Sequence, residues 1–254
     1  MKWLVFTLIG ALLFVAIFGP FLIGPEGLEL NLARDLQPGY GENGFDVLTW
    51  LIYGTRISLM IAGICTLVSL VIGVLYGAVS GYVGGFIDTV MMRFVDILLA
   101  FPGILLALYI AAVLKPGIGN IVVALCATGW VGYARIARSQ VLSVKNQDYV
   151  SSALALGASH VRILLRHILP NILGPLFVQA SFGVSSLILA EASLSFLGLG
   201  VPPGTPSWGA LLDQGVTYMF IAPHLVIWPG VCIAVAVLSF NFLGDWLRDV
   251  RDPG

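Results

Sequence analysis

Ionisable side chains are scarce in this chain, and one stretch is dense in them. Lys145, Asp148, His160, Arg162, Arg166 and His167 crowd into fewer than two dozen residues. They form no catalytic constellation. A helical stretch of this polarity between apolar runs is a surface that has to touch something. Elsewhere, Glu191 stands alone inside an apolar run, where an ionisable group costs a few kcal/mol and faces protein or water. The chain has no GxxxxGK[ST] phosphate loop, so it cannot hydrolyse ATP by that route, and it has no HExxH or GxSxG motif. His160 and His224 have no partner at metal-ligand spacing. Cys65, Cys126 and Cys232 sit in apolar runs without a CxxC neighbour and read as buried small hydrophobes. No catalytic residue, metal site or cofactor is expected.

Within the polar stretch, Val150, Ala153, Leu154, Gly157, Val161, Leu164, Leu165 and Ile168 recur at steps of three and four, the period of one helical face. Ser151, Ser152, Ser159, Arg162 and Arg166 fall on the other. Gly157 interrupts the run where the chain must turn or approach another backbone closely. Pro170 is expected to end the second piece just before the next apolar run. Two readings remain open on these residues alone: an amphipathic helix lying on lipid headgroups, or a folded helix–turn–helix docking into a cytoplasmic partner.

The elements that must position these residues follow from composition. Of 254 residues, 59% are hydrophobic and only 10% charged, and mean hydropathy is +1.00. A soluble domain carries about a quarter charged residues, so the chain is an integral membrane protein. A net charge of −1 without a basic cluster argues against nucleic acid as a partner. Six apolar segments stand out, at 3–24, 57–80, 95–114, 118–136, 172–197 and 222–244. They are continuous rather than alternating, so they are helices rather than barrel strands. The first lacks a small-x-small cleavage site and reads as an uncleaved span rather than a signal peptide.

With a cytoplasmic N-terminus, the inner side receives Lys2, Arg93, Arg135, Arg138, Lys145, Arg162, Arg166, Arg248 and Arg251, and the outer side only Arg34, Arg56 and Lys115. This bias places both termini and the 145–170 loop in the cytoplasm. The segments 25–50 and 198–221 are then outer loops, where Asp46, Arg56 and Asp213 read as solvated charge. Arg93 and Asp96, three apart, are expected to pair with each other. Asp88 and Gly84-Gly85 are expected to set the inner turn before the third span. Trp50, Trp130, Trp208, Trp228 and Trp246 are expected mostly at span ends, as an interfacial belt. No internal repeat divides the chain, which reads as one domain over 1–254.

Specific residues now carry a resemblance. Ala153, Gly157 and Leu169-Pro170 match the spacing of the EAA loop of the inner-membrane permeases of ABC importers. Leu-Ile-Tyr-Gly-Thr-Arg-Ile-Ser-Leu at 51–59, Met-Arg-Phe-Val-Asp-Ile-Leu-Leu-Ala-Phe-Pro at 92–102, Gly-Tyr-Ala-Arg at 132–135 and Arg-His-Ile-Leu-Pro-Asn at 166–171 extend it. So do Leu-Ala-Glu-Ala-Ser-Leu-Ser-Phe-Leu-Gly-Leu-Gly at 189–200, Thr-Pro-Ser-Trp-Gly at 205–209 and Leu-Gly-Asp-Trp-Leu-Arg-Asp at 243–249. From about residue 45 onward the chain is similar to the second permease of dipeptide, oligopeptide and nickel importers.

That resemblance implies an all-α polytopic protein of the bacterial or archaeal cytoplasmic membrane. It would have six transmembrane helices, both termini cytoplasmic, and a cytoplasmic coupling helix between spans four and five. The chain would form half of a translocation pathway for peptides or nickel and other metal complexes. Its partners would be a homologous second permease, two cytoplasmic ATP-binding subunits, an extracytoplasmic substrate-binding protein and membrane lipid. Ser151, Ser152, Ala153, Gly157, Ala158, His160, Arg162, Leu169 and Pro170 would couple the chain to the ATPase. Ser151 stands where the family opens its loop with glutamate, so the glycine turn rather than a carboxylate is expected to carry that contact. Glu191 is a candidate for the translocation path or its gate, or else a structural partner to a neighbouring helix. The rival class is a stand-alone secondary transporter or channel. It would call for paired intramembrane carboxylates or broken helices with inverted repeats, whereas Glu191 is the only clear intramembrane acid and no repeat is visible.

Overall fold

A computed structural model describes residues 2–251. Met1 and Asp252–Gly254 lie outside the described residues, as do the side chains of Lys2, Leu4 and Arg251. The elements are α1 (Lys2–Ile23), α2 (Val47–Val83), α3 (Gly85–Ala100), α4 (Gly103–Leu114), α5 (Ile118–Val144), α6 (Asp148–Ala155), α7 (His160–Ile163), α8 (Leu169–Phe196), α9 (Trp208–Thr217) and α10 (His224–Arg251). Among the described residues there is no β-strand, only an isolated bridge between Tyr40 and Asp46. Five helices are long and apolar enough to cross a membrane, and a sixth crossing results if α3 and α4 are counted together.

Several boundaries differ from the expected ones for identifiable reasons. α2 begins at Val47, ten residues before the apolar run, because the Asp46 carboxylate caps it by accepting from the Thr49 backbone N–H at 3.0 Å. At 37 residues it is about 55 Å long, well beyond the roughly 30 Å hydrocarbon core. The expected straight third span is bent by 81° between α3 and α4. Phe101 is extended there, as a residue before proline must be, and Pro102 starts α4 without an N–H to continue α3.

The interface between α2 and α5 organises the bundle. Gly73, Gly77 and Gly81 recur every four residues on one stripe of α2 and lie against the backbone of α5. A Cβ at Gly73 would come within 2.5 Å of the Trp130 carbonyl, one at Gly77 would overlap the Ala134 carbonyl, and one at Gly81 would lie 2.9 Å from the Arg138 carbonyl. Small residues at such spacing let two helices approach closely in lipid, where packing rather than water exclusion drives association. At one end of this interface Arg138 grips Asp88 of α3 through two bonds, both 2.6 Å, and Ser80 donates to the same carboxylate. Asp88 therefore ties three helices together. The turn itself is made by Gly84 and Gly85, both at positive φ.

Arg93 does not pair with Asp96. Arg135 of α5 reaches that carboxylate at 2.8 Å, because α3 lays its buried Val95 against α5 and turns Asp96 toward it. The tryptophan belt is also only partly present. Trp208 and Trp50 are buried among the core residues of α2, α8 and α9, not at a lipid boundary. The outward surface carries Phe14, Phe21, Leu67, Leu75, Leu105 and many other exposed apolar side chains, which only lipid or another membrane subunit satisfies.

Replacing Gly77 with leucine is expected to destabilise the protein by about 1–3 kcal/mol, the usual cost of forcing volume into a closed contact. The check is a lowered thermal unfolding temperature in detergent; an unchanged temperature would show that the contact is not closed.

Candidate functional site

The crowded polar stretch folds as a shelf across the ends of α2, α5 and α8. α6 stops at Ala155 in a glycine-terminated turn. The Gly157 N–H donates to the Leu154 carbonyl at 2.9 Å, the Ala158 N–H donates to the Ala153 carbonyl at 3.1 Å, and Gly157 takes φ +83°. This pairing satisfies the last carbonyls of α6 and brings Ala153 and Ala158 onto the same core. Ser159 then opens α7, accepting from the Arg162 N–H. No atom lies within 4 Å of where a Cβ would stand on Gly157, so backbone conformation, not close approach, demands glycine here.

Pro170 does not end the second piece. The chain passes from α7 through a π-helical turn, Leu164–Ile168, straight into α8. The Leu169 N–H reaches back to the Leu164 carbonyl, and this wider turn accommodates the proline next to it. The apolar pattern also splits at the glycine turn. Val150, Ala153, Ile163, Leu164 and Ile168 face the core shared with Val74, Ala78, Ala137 and Val141, whereas Leu154, Val161 and Leu165 are exposed. Leu156, at the tip, is 88% exposed.

Side-chain bonds lock the shelf to the long helices. His160 Nδ1 and the Tyr82 hydroxyl at the end of α2 are 2.8 Å apart, with the rings edge to face. Lys145 donates to the Gly81 carbonyl at 2.8 Å, closing the C-terminal end of α2. Asn171 of α8 donates to the Tyr149 hydroxyl at 3.1 Å and to the His167 carbonyl. Between these ties lies a cleft of about 620 Å³ bordered by Tyr82, Lys145, Ser151 and His160. Ser151, Ser152, Gly157, His160, Arg162 and Pro170 are exposed, while Ala153, Ala158 and Leu169 are partly buried. Tyr82, Tyr149 and Asn171 escaped the sequence reading because their roles depend on partners far away in the chain.

Glu191 lies elsewhere. It is 0% exposed. The Ser195 hydroxyl donates to its Oε1 at 2.8 Å, and the Ser58 and Ser207 hydroxyls border the carboxyl. Each of those two hydroxyl oxygens already accepts a backbone N–H, from Trp208 at 3.3 Å and Ala210 at 3.1 Å, so each proton is free to turn toward Glu191. Three motifs quoted from the sequence, at 51–59, 189–200 and 205–209, thus meet around one carboxyl. Gly209 makes the meeting close, since a Cβ there would come within 2.7 Å of the Ala192 and Ser195 side of α8. Nearby in the 25–46 and 198–223 segments, the Glu42 carboxylate holds the Tyr218 phenol above its usual range, and His224 Nε2 sits 3.2 Å from the Tyr40 carbonyl.

Replacing Glu191 with alanine is expected to cost about 2–4 kcal/mol, through the cavity and the stranded hydroxyls. Glutamine, which keeps the Ser195 contact, is expected to cost less. Thermal unfolding in detergent measures both, and an alanine variant as stable as wild type would remove the carboxyl from its tying role.

The comparisons with known proteins agree with this arrangement. The family profile described as the inner membrane component of binding-protein-dependent transport systems matches residues 69–254. The dipeptide transport system permease protein DppC of Bacillus subtilis is 40% identical over 248 residues, covering 94% of this chain and 77% of that protein. The oligopeptide permease OppC of Haemophilus influenzae is 41% identical, covering 93% of this chain and 78% of that protein. The glutathione permease GsiD of Pectobacterium atrosepticum is 42% identical, covering 85% and 71%. A solved inward-facing structure of the MetNI methionine ABC transporter shares the fold, with a TM-score of 0.61 at 15% identity over 78% of this chain and 96% of that one. The ion-driven alternative falls away. The chain belongs to the binding-protein-dependent transport system inner membrane components, as an inner-membrane permease subunit of an ABC importer.

Proposed function

We propose that this chain is one of two homologous permeases of a peptide importer and that its 145–170 shelf is the seat of an ATP-hydrolysing subunit. The observation that carries the reading is the shelf itself. Its backbone is fixed by a glycine-terminated turn and three side-chain ties, yet Leu154, Leu156, Val161 and Leu165 are left exposed beside Arg162 and Arg166. An apolar patch rimmed by cations at the end of a membrane bundle suits a protein partner. Charge counting places this end in the cytoplasm, with both termini there and six crossings once α3 and α4 act as one broken span. A second permease would cover part of the apolar flank, an extracytoplasmic binding protein would deliver cargo at the opposite end, and two ATP-binding subunits would supply the energy. Peptide as cargo is supported by the dipeptide, oligopeptide and glutathione permeases that the chain resembles.

In this mechanism the ATP-binding pair closes, moves the shelf as a rigid body, and switches the long helices between two states. The lever requires a stiff turn. Gly157→Trp forces a bulky L-residue into the left-handed region at a cost of about 1–2 kcal/mol. It is expected to leave membrane insertion intact and to abolish uptake of a labelled dipeptide by the complete complex. Gly157→Asn, which tolerates that conformation, is expected to retain more uptake. Wild-type uptake by the assembled tryptophan variant would refute the lever.

A further inference from the structure

We propose that the cleft between α4, α5 and α8 is this chain's contact with cargo in transit and that it takes main-chain carbonyl oxygens of a peptide. The proposal rests on the permease reading above and adds a site to it. The cleft encloses about 250 Å³, and its lining includes Gly103, Thr128, Gly132, Tyr133, Gln179 and Ser186 but no charged side chain. It lies midway along α5 and α8, where hydroxyl and amide groups facing lipid are disfavoured and mark a protein- or water-facing surface.

Two features make it a binding site rather than a packing fault. The Tyr133 hydroxyl borders the cleft, buried and without a hydrogen-bond partner among the described residues. A side chain at Gly183 would displace that hydroxyl, so glycine keeps its place open. The second feature is the broken helix. The Leu105 and Leu106 N–H groups both turn back to the Pro102 carbonyl, at 2.9 and 3.2 Å. The N–H groups of Gly103 and Ile104, which line the cleft, are then the unused donors at the start of α4. Backbone N–H, tyrosine hydroxyl and glutamine amide together offer donors around a neutral space. The acceptor that every peptide presents, whatever its side chains, is its carbonyl oxygen. Broken helices whose freed backbone groups meet cargo at mid-membrane are a recurrent solution in transport proteins. A site without fixed charge also releases what it holds, as a pathway must.

The test uses the complete complex in proteoliposomes and labelled alanine peptides, from di-alanine to the longest homologue that wild type takes up. Gly132 lines the cleft and a Cβ there meets nothing within 4 Å, so Gly132→Trp is chosen to place bulk at the cleft. It is expected to lower uptake of the longest homologue roughly tenfold or more, the scale on which a filled pocket discriminates, and to lower di-alanine uptake less. Tyr133→Phe, which removes only the hydroxyl, is expected to lower uptake about three- to tenfold. Gly63→Trp, on an exposed open position of α2, serves as the control and is expected to transport normally. Wild-type uptake by either cleft variant, or equal loss of all homologues in Gly132→Trp, overturns the proposal. Failure of the wild-type complex to take up any alanine peptide would instead overturn the peptide reading on which it rests.

Discussion

The close approach of α2 and α5 is the constraint on which the rest of this structure depends. A membrane protein gains little from moving apolar side chains out of lipid, so its helices must earn their association through contact and through the few polar bonds they make. The Gly73–Gly77–Gly81 stripe lets backbone meet backbone. The Asp88–Arg138 pair, joined by Ser80, then fixes the register at one end with charge-assisted bonds inside a setting that leaves those groups few other partners. Shift α2 by one turn and Ser80 leaves the carboxylate that Arg138 holds.

The shelf inherits its position from that contact. Lys145 follows directly on α5 and bonds to Gly81, the last glycine of the α2 stripe. Tyr82, the next residue, holds His160. The core beneath the shelf is shared by Val74 and Ala78 of α2, Ala137 and Val141 of α5, and Ile168 and Ile172 around the start of α8. A polar loop thus becomes a rigid platform because its inner face belongs to the bundle's own core. The π-helical turn completes this by running α7 into α8 without a break, which makes the shelf part of a long helix rather than a hinged appendage.

Much of this was legible in the sequence, and the failures are instructive. Span positions followed from apolar runs, and Gly157 was recognisable as a turn because a glycine interrupting a helical run marks a change of backbone direction. The bent third span was less visible. Hydropathy sees composition, and Phe101-Pro102 changes direction without changing composition. Pro170 misled for the opposite reason: proline usually stops a helix, but a widened turn beside it removes the steric reason to stop. The pairing of Asp96 with Arg135 instead of Arg93 shows the limit of local spacing, since a helix-surface pair worth a few tenths of a kcal/mol yields to whatever a neighbouring helix presents. The cluster around Glu191 lay in plain sight as three separate motifs, and only the fold shows that they are one place.

That cluster and the shelf lie at opposite ends of the same helices, and this is the feature that makes a lever mechanically sensible. Ser58 and Tyr82 are 24 residues apart on α2, about 36 Å along an unbroken helix. α8 likewise runs from the shelf's core at Ile172 to Glu191. A displacement imposed at one end of two helices reaches the other only if both are held at both ends. The glycine stripe and the Asp88 pair hold the shelf end of α2, while at the other end the Ser58 hydroxyl of α2 accepts the Trp208 N–H of α9 beside the buried Glu191 of α8. Between these two ends lies the neutral cleft of α4, α5 and α8, beside the break between α3 and α4.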